Sequence, residues 1–564
     1  MSCESNGAEN RAMAEEKQKT SPSSSSSIDP KSGFCSVTKT YHSLRPQISL
    51  PPETTNLSIT DFIFYLLQQN PPPSPDSAAL IDAITGCRIS LSQLLFRTKT
   101  LAASLRDILE LSRGNSAFII CPNSIHLPIL YLALSLVVVS PSNPASSVPE
   151  ISRQIEISRP IVAFATCETA HKVPPLRRRT ILLDSAEFEY MMTRPSQELP
   201  LSVEVSQSNT AAILFSSGTT GGFKGAELTH RNFIWSLAAH ASRPVRSAPA
   251  VSFCTVPYFH IYGFNLWMRS VAIGNCVVTS SRFDPRAMIR AVEELKVTHV
   301  ALGPPAVIAL SKDVDWLDGC DLSSLQTVSR SGAPLGRVVI DKFKKKFPTV
   351  QLSQGYGLTE TTGAISRAIG PDECQRSEAS GRLLSCCQGK IVDIQTGTSL
   401  PPLNEGELWI KGPNTMKGYA GDKEATAMIL DSEGWIRTGD VCYIDDEGFL
   451  YVCDRLKELI KYKGYQVAPL ELENLLRSHP DILDAAVIPY PDEEAGEVPM
   501  AFVVRRPQST IDESQVQNSV AEQVAPYKKI RRVWFINSIP RNAAGKVLRK
   551  DLTKLALSGA SSKL

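Results

Sequence analysis

The feature that most constrains this chain is a junction. An apolar run that reads as a strand, Thr210–Phe215 (TAAILF), passes straight into Ser216-Ser217-Gly218-Thr219-Thr220-Gly221-Gly222-Phe223-Lys224-Gly225. Four hydroxyl side chains, four glycines and one lysine fall within those ten residues. Glycines let a backbone turn tightly and aim N–H groups at an anion. The hydroxyls donate further hydrogen bonds, and a lysine supplies charge to phosphate oxygens. A strand that ends in such a loop predicts a phosphate site at the edge of an α/β layer. The stretch is not a Walker A loop, because Phe223 precedes the lysine and Gly225 follows it.

The rest of the chain fits that setting. Ser90–Leu111 and Asn123–Leu136 have helical apolar spacing. Ser116–Cys121, Ile161–Ala165, Val251–Val256, Val277–Ser280 and Thr298–Leu302 read as short buried strands. This alternation predicts α/β layers. From Gly406–Lys411 (GELWIK) onward the texture changes to short strands, with turns at Asp431–Gly434 and Asp445–Gly448. A charged stretch begins at Asp454, so a boundary is expected at Asp454–Lys457, followed by a small α+β domain. The expected organisation is a polar tail over 1–31, a large domain over 32–454, a small domain over 455–556 and a tail over 557–564.

Length and composition set outer limits. At ~100–200 residues per domain, 564 residues hold several domain-sized units. Lys+Arg of 59 against Asp+Glu of 57 leaves a net charge of +2, which gives no electrostatic case for nucleic acid. The 13 cysteines show no metal-ligand spacing and are expected to be reduced thiols. The longest apolar stretch, Leu127–Val139, is too short to cross a bilayer and contains Pro128; it predicts a buried helix followed by a strand. The final tripeptide, Ser562-Lys563-Leu564, has the form of a peroxisomal address read by an import receptor.

The loop with its flanking motifs resembles the adenylate-forming enzyme superfamily, whose signature reads [S/T][S/T]GTTGxPKG; Phe223 stands where that signature has proline. Further motifs follow in the family's order. Gln354-Gly355-Tyr356-Gly357-Leu358-Thr359-Glu360 resembles the adenine and magnesium motif. Thr438-Gly439-Asp440 resembles the ribose clamp, and Asp454-Arg455-Leu456-Lys457-Glu458 the hinge. Lys461-Tyr462-Lys463-Gly464-Tyr465-Gln466 comes next. Pro540–Lys546 resembles the loop that carries the catalytic lysine. Within the superfamily the chain is most similar to plant 4-coumarate–CoA ligases and their peroxisomal "like" relatives, from about Ser32 to Asp551. Leu456–Pro469, Pro491–Val498 and Gln523–Arg532 carry that likeness. Gly406–Gly412 reads GELWIKG where the lignin-pathway enzymes have GEICIRG, and this with the SKL ending favours the "like" group.

The resemblance implies two half-reactions: a carboxylate displaces pyrophosphate from Mg·ATP to give acyl-AMP, and the thiol of coenzyme A then displaces AMP. It implies roles residue by residue. Ser216, Ser217, Gly218, Thr219, Thr220 and Lys224 hold phosphates. Gln354, Gly355, Tyr356 and Thr359 face the nucleotide, and Glu360 holds Mg²⁺. Asp440, Arg455 and Lys457 serve ribose, phosphate and hinge. Lys546 bridges carboxylate and α-phosphate, and His260 gates the acyl pocket. Lys461, Lys463, Gly464 and Gln466 contact CoA or AMP after the small domain rotates, and Arg282 contacts CoA. Tyr262, Leu266, Ser331, Gly332, Gly355, Gly363 and Ala364 line the pocket. The hydroxycinnamate enzymes have Pro-Val where this chain has Gly363-Ala364, which predicts a roomier pocket. The expected acid is 4-coumarate, or alternatively a cyclopentenyl octanoic (jasmonate-precursor) or medium-chain fatty acid. A luciferase-type oxygenase shares these motifs; an inactive adenylate-binding relative is argued against by the presence of Lys546 and Glu360.

Overall fold

The structure is a computed structural model. It describes residues 27–195, 205–217, 223–242, 249–311, 317, 319–332, 335, 337–463, 465–542 and 545–561. The phosphate-loop residues Gly218, Thr219, Thr220, Gly221 and Gly222, together with Gly464 and the Ser562–Leu564 tripeptide, lie outside the described residues, as do the side chains of Ser217 and Gln466.

Two α/β sheets form the large domain. One has seven strands: Gly418–Tyr419, Phe223–Thr229, Thr210–Ser217, Val138–Ser142, Ser116–Ile120, Val162–Ala165 and Thr180–Leu182, in spatial order. The other has nine, and its six central strands from Gln351–Leu358 to Ala78–Asp82 run parallel. The helices His126–Ala133, His230–Ala241 and Ile261–Ala272 share one apolar core with residues of both sheets, including Ile119, Leu214, Val277 and the fully buried Trp267. Parallel strands buried on both faces read as near-continuous apolar runs, which is why the sequence marked them. The helix expected over Asn123–Leu136 is shorter, His126–Ala133, with the strand Val138–Ser142 following. Pro128 sits in its first turn, where a missing N–H does no harm.

A third, antiparallel sheet of six strands ends in Gly406–Lys411, Ile436–Ile444 and Leu450–Arg455. Its turns are legible in the sequence. The Asp431 Oδ1 atom accepts from the Glu433 and Trp435 amides, both at 2.9 Å, and Asp445 does the same for Glu447 and Phe449 at 3.0 and 2.8 Å. The small domain is built on the antiparallel pair Ile482–Asp492 and Gly496–Arg505. Successive side chains on a strand face opposite ways. Ala485 and Val487 pack under the helices Pro469–Ser478 and Glu513–Ala521, while Ala486 and Ile488 pack under Arg549–Ser561. Among the described residues, no helix is long and apolar enough to cross a membrane.

Candidate active site

The strands that flank the predicted phosphate loop pair with each other. Ser217 pairs with Phe223 and Ser216 with Lys224, so Lys224 stands on a strand and not in the loop itself. Antiparallel pairing fixes its position opposite Ser216, which is stiffer than a loop lysine. Ser216 Oγ donates to Glu360 Oε1 at 2.9 Å, and the Tyr419 hydroxyl donates to the same oxygen at 2.9 Å. Lys224 Nζ lies over the Tyr419 ring, 4.8 Å from its centroid. Sequence reasoning missed Tyr419. It reaches the site because Gly418–Tyr419 adds as an edge strand beside Phe223–Thr229, a pairing with no local signature.

Glu360 sits on the one-turn helix Thr359–Thr361, at the end of strand Gln351–Leu358. The next residue, Thr362, has φ +53°, a conformation that costs a β-branched residue of order 1–3 kcal/mol. Its surroundings impose it. Asn265 Nδ2 donates to the Thr362 carbonyl at 2.7 Å, Thr362 Oγ1 donates to the Asn414 carbonyl at 2.7 Å, and Asn414 Nδ2 donates to the Thr361 carbonyl at 3.2 Å. Met416 N donates to the Glu360 carbonyl at 2.9 Å. Asn265 and the 414–416 stretch thus hold the backbone that aims one carboxylate.

A second cluster gathers around Asp440, which is 2% exposed. Asp440 Oδ2 accepts from the Tyr356 hydroxyl at 2.5 Å, and its Oδ1 lies 3.2 Å from Arg455 Nε. Burial pushes the Asp440 carboxyl up from its ordinary value; Arg455, Tyr356 and Lys546 pull the other way. Lys546 therefore lies within electrostatic reach of Asp440. Burial, and next the charge of Arg455, hold its amine below the usual lysine value. A tight turn presents it: Asn542 Oδ1 accepts from Lys546 N at 2.9 Å, and Gly545 takes φ +82°.

Other predicted residues are placed differently. Gln354 is engaged by structure: its Oε1 accepts from Arg330, and its Nε2 donates to Ser380 at 3.2 Å. Ser331 Oγ donates to the Gly355 carbonyl at 3.0 Å. Thr359 stands half-buried beside Glu360, and Gly332 has φ +98°. Lys463 pairs with Glu494, and Lys461 is exposed, its backbone N–H donating to Glu497 at 2.8 Å. Lys457 and Arg282 are exposed.

His260 caps helix Ile261–Ala272, its Nδ1 accepting from Tyr262 N at 3.2 Å. Burial lowers its pKa, so the ring is neutral and the proton is assigned to Nε2. Gly263 lets the helix start against the preceding turn: a Cβ there would meet the Pro257 carbonyl oxygen at 2.2 Å. A cavity of about 550 Å³ lies between this helix and the nine-stranded sheet; His260 is not among the residues around it. Tyr262 and Leu266 line it, followed by Arg269, Ser270 and Ile273 on the same helix face. The Tyr262 hydroxyl donates to the Ser329 carbonyl at 3.0 Å. Ser331, Gly332, Gly363 and Ala364 are not among the residues around this cavity. Gly363 abuts Asn265, whose Nδ2 a Cβ would meet at 2.9 Å, and Ala364 packs beside the Trp235 cluster. The room comes from the gap between helix and sheet.

Residues 67–420 match the AMP-binding enzyme family, and residues 471–546 match the AMP-binding enzyme C-terminal domain. The chain belongs to the AMP-binding enzyme family. It is 48% identical over 553 residues to 4-coumarate–CoA ligase-like 9 of Arabidopsis thaliana, covering 95% of this chain and 98% of that protein. It is 41% identical over 550 residues to peroxisomal OPC-8:0-CoA ligase 1 of the same plant, covering 95% and 99%. Among solved structures, amide bond synthetase McbA from Marinactinospora thermotolerans superposes with a TM-score of 0.78 at 26% identity, over 88% of this chain and 100% of that one. O-succinylbenzoate coenzyme A synthetase (MenE) from Bacillus subtilis, in complex with ATP and magnesium ion, gives 0.75 at 26%, over 87% and 98%. Together these make the protein an adenylate-forming acyl–CoA ligase.

Proposed function

We propose that this AMP-binding enzyme activates an elongated carboxylic acid, of the cyclopentenyl octanoic or medium-chain fatty type, as its CoA thioester. The cavity carries this reading. About 550 Å³ is the size of a full ligand pocket, and a hydroxycinnamate, one ring with a three-carbon acid, falls short of filling it. The name of the OPC-8:0-CoA ligase relative supports the same class. A second reading, 4-coumarate, is supported by the names of several relatives.

The residues fit the chemistry. Attack of a carboxylate on an α-phosphate sets one anion against another, so cations must meet the developing charge. Lys546 takes the place between carboxylate and α-phosphate. Lys224 and the Ser216–Thr220 turn hold the outer phosphates. Tyr356 and Asp440 receive base and ribose. Glu360 suits Mg²⁺: one oxygen is fixed by Ser216 and Tyr419, and its other oxygen accepts no hydrogen bond among the described residues. Bound there, Mg²⁺ would offset phosphate charge. Neutral His260 keeps the mouth of the acyl cavity free of a competing cation. In the second half-reaction the CoA thiol attacks the acyl carbon and AMP leaves; Lys461, Lys463, Gly464, Gln466 and Arg282 serve that step.

The test is an acid panel at fixed ATP, Mg²⁺ and CoA, following AMP release and thioester, with Lys546→Ala as blank. Turnover of long or cyclic acids is expected. Turnover restricted to 4-coumarate and caffeate would overturn this choice of acid in favour of the second reading. We place the reaction in peroxisomes, on the Ser562-Lys563-Leu564 tripeptide and the name of the peroxisomal relative. An N-terminal fluorescent fusion should be punctate with the tripeptide and diffuse without it.

A further inference from the structure

The acyl cavity holds two guanidinium groups that no carboxylate neutralises among the described residues. Arg269, on the helix Ile261–Ala272, and Arg367, at the end of strand Gly363–Arg367, both line it. Arg269 donates from Nε and Nη2 to Ser236 Oγ at 3.0 and 2.7 Å. Arg367 donates from Nε to Ser353 Oγ at 3.3 Å and from Nη2 to Ser329 Oγ at 2.9 Å. Every one of those side-chain partners is a neutral hydroxyl. Among the described residues, neither arginine forms an ion pair, whereas Arg45, a neighbour that contacts the Arg367 carbonyl, is paired with Glu373. The charge of Arg367 is close enough to act on Arg269: burial first, and then Arg367, bring Arg269 down to about 9.

Two unneutralised cations inside a protein are costly. The serine hydroxyls hold the guanidiniums in place without cancelling their charge. A guanidinium presents a planar fork that matches a carboxylate. Arg269 follows Tyr262 by seven residues on one helix, so it lies on the order of 10 Å along the cavity from Tyr262. An acid whose reactive carboxylate sits on the His260 side of Tyr262 would reach the arginines with its other end.

We infer that the deep end of the cavity is an anion site, and that the acid this enzyme prefers carries a second carboxylate there, as an α,ω-dicarboxylic acid does. The inference rests on the acyl–CoA ligase reading and narrows its substrate class. Its test uses the full-length enzyme with matched pairs: octanoate with suberate, decanoate with sebacate, dodecanoate with dodecanedioate. Thioester formation is read for each. For at least one pair the dicarboxylate should have a kcat/KM about tenfold or more above its partner, as expected for a charge-assisted contact. Arg269→Gln and Arg367→Gln should each lower that ratio about tenfold, and Arg269→Lys, which keeps the charge, should retain most of it. Wild-type ratios of one or less in all three pairs overturn the inference, whether or not the variants fold. A ratio unchanged in both folded Gln variants also overturns it. Turnover of monocarboxylates or hydroxycinnamates alone sinks the anion site and leaves the ligase reading standing; absence of thioester with every acid tried sinks both.

Discussion

Lys546 lies where Asp440, Arg455, Glu458 and Arg549 all act on its charge. On the proposed role, replacing it with alanine removes the cation between carboxylate and α-phosphate, and adenylation should fall about 10²–10³-fold, measured as ATP–pyrophosphate exchange. Because burial lowers its pKa, it loses its proton at a lower pH than an ordinary lysine does. The alkaline limb of the exchange profile should therefore lie below the usual lysine range, and Lys546→Arg should move it upward. Tyr419→Phe keeps the ring under Lys224 but removes a donor from Glu360. The KM for ATP should rise about tenfold, the worth of one hydrogen bond to a charged group. Lys546, Glu360 and Asp440 were readable because their motifs are contiguous. Tyr419, Arg269 and Arg367 were not, because what makes each notable is a partner, or the lack of one, brought by a distant segment.

At the scale of the element, the short Thr359–Thr361 turn depends on side chains from elsewhere. Asn265→Ala leaves the Thr362 carbonyl without its donor while the backbone stays at φ +53°. Loss of about 1–3 kcal/mol of unfolding free energy is expected, read by urea titration, together with weakened ATP binding. Asp454, on the strand Leu450–Arg455 at the expected domain boundary, has its own signature. That carboxyl accepts from the Leu470 and Arg455 amides at 2.8 and 2.7 Å, yet burial pushes it up to about 7. An unfolded chain gives up the same proton near pH ~4. The folded state therefore holds the extra proton between those values, and this group's contribution to stability falls as pH rises from about 4 to about 7. Asp454→Asn should flatten that part of the unfolding profile; an unchanged slope would count against it. Most strands were legible, since buried parallel strands are apolar throughout. The hairpin of the phosphate loop was half-read: its turn chemistry is local, but the strand that starts at Phe223 is set by pairing with Thr210–Ser217.

At the scale of the whole molecule, the two half-reactions should separate by residue. Lys546 faces the Asp440 cluster, while Lys463 pairs with Glu494 on the small domain. If the small domain rotates between steps, Lys546→Ala should still convert supplied acyl-AMP and CoA to thioester. Lys463→Ala should retain pyrophosphate exchange and slow thioester release. Equal loss of both steps in both variants would argue against a rotation. From its charge the sequence predicts a junction near Asp454; which face of the small domain meets the large one was not legible, because that depends on packing between segments far apart in the chain.

Asp440 spends one oxygen on Tyr356 and faces Arg455, the residue at the root of the linker, with the other. A ribose seated on this carboxylate must compete for the same two oxygens. If Asp440 receives the ribose as proposed and Arg455 moves with the small domain, nucleotide occupancy and domain position draw on one shared acceptor, and whatever shifts one shifts the other by the same factor. Pinning the small domain with a cross-link remote from Asp440 and Arg455 would then retune nucleotide affinity. The hinge of this enzyme would serve as a dial for its substrate.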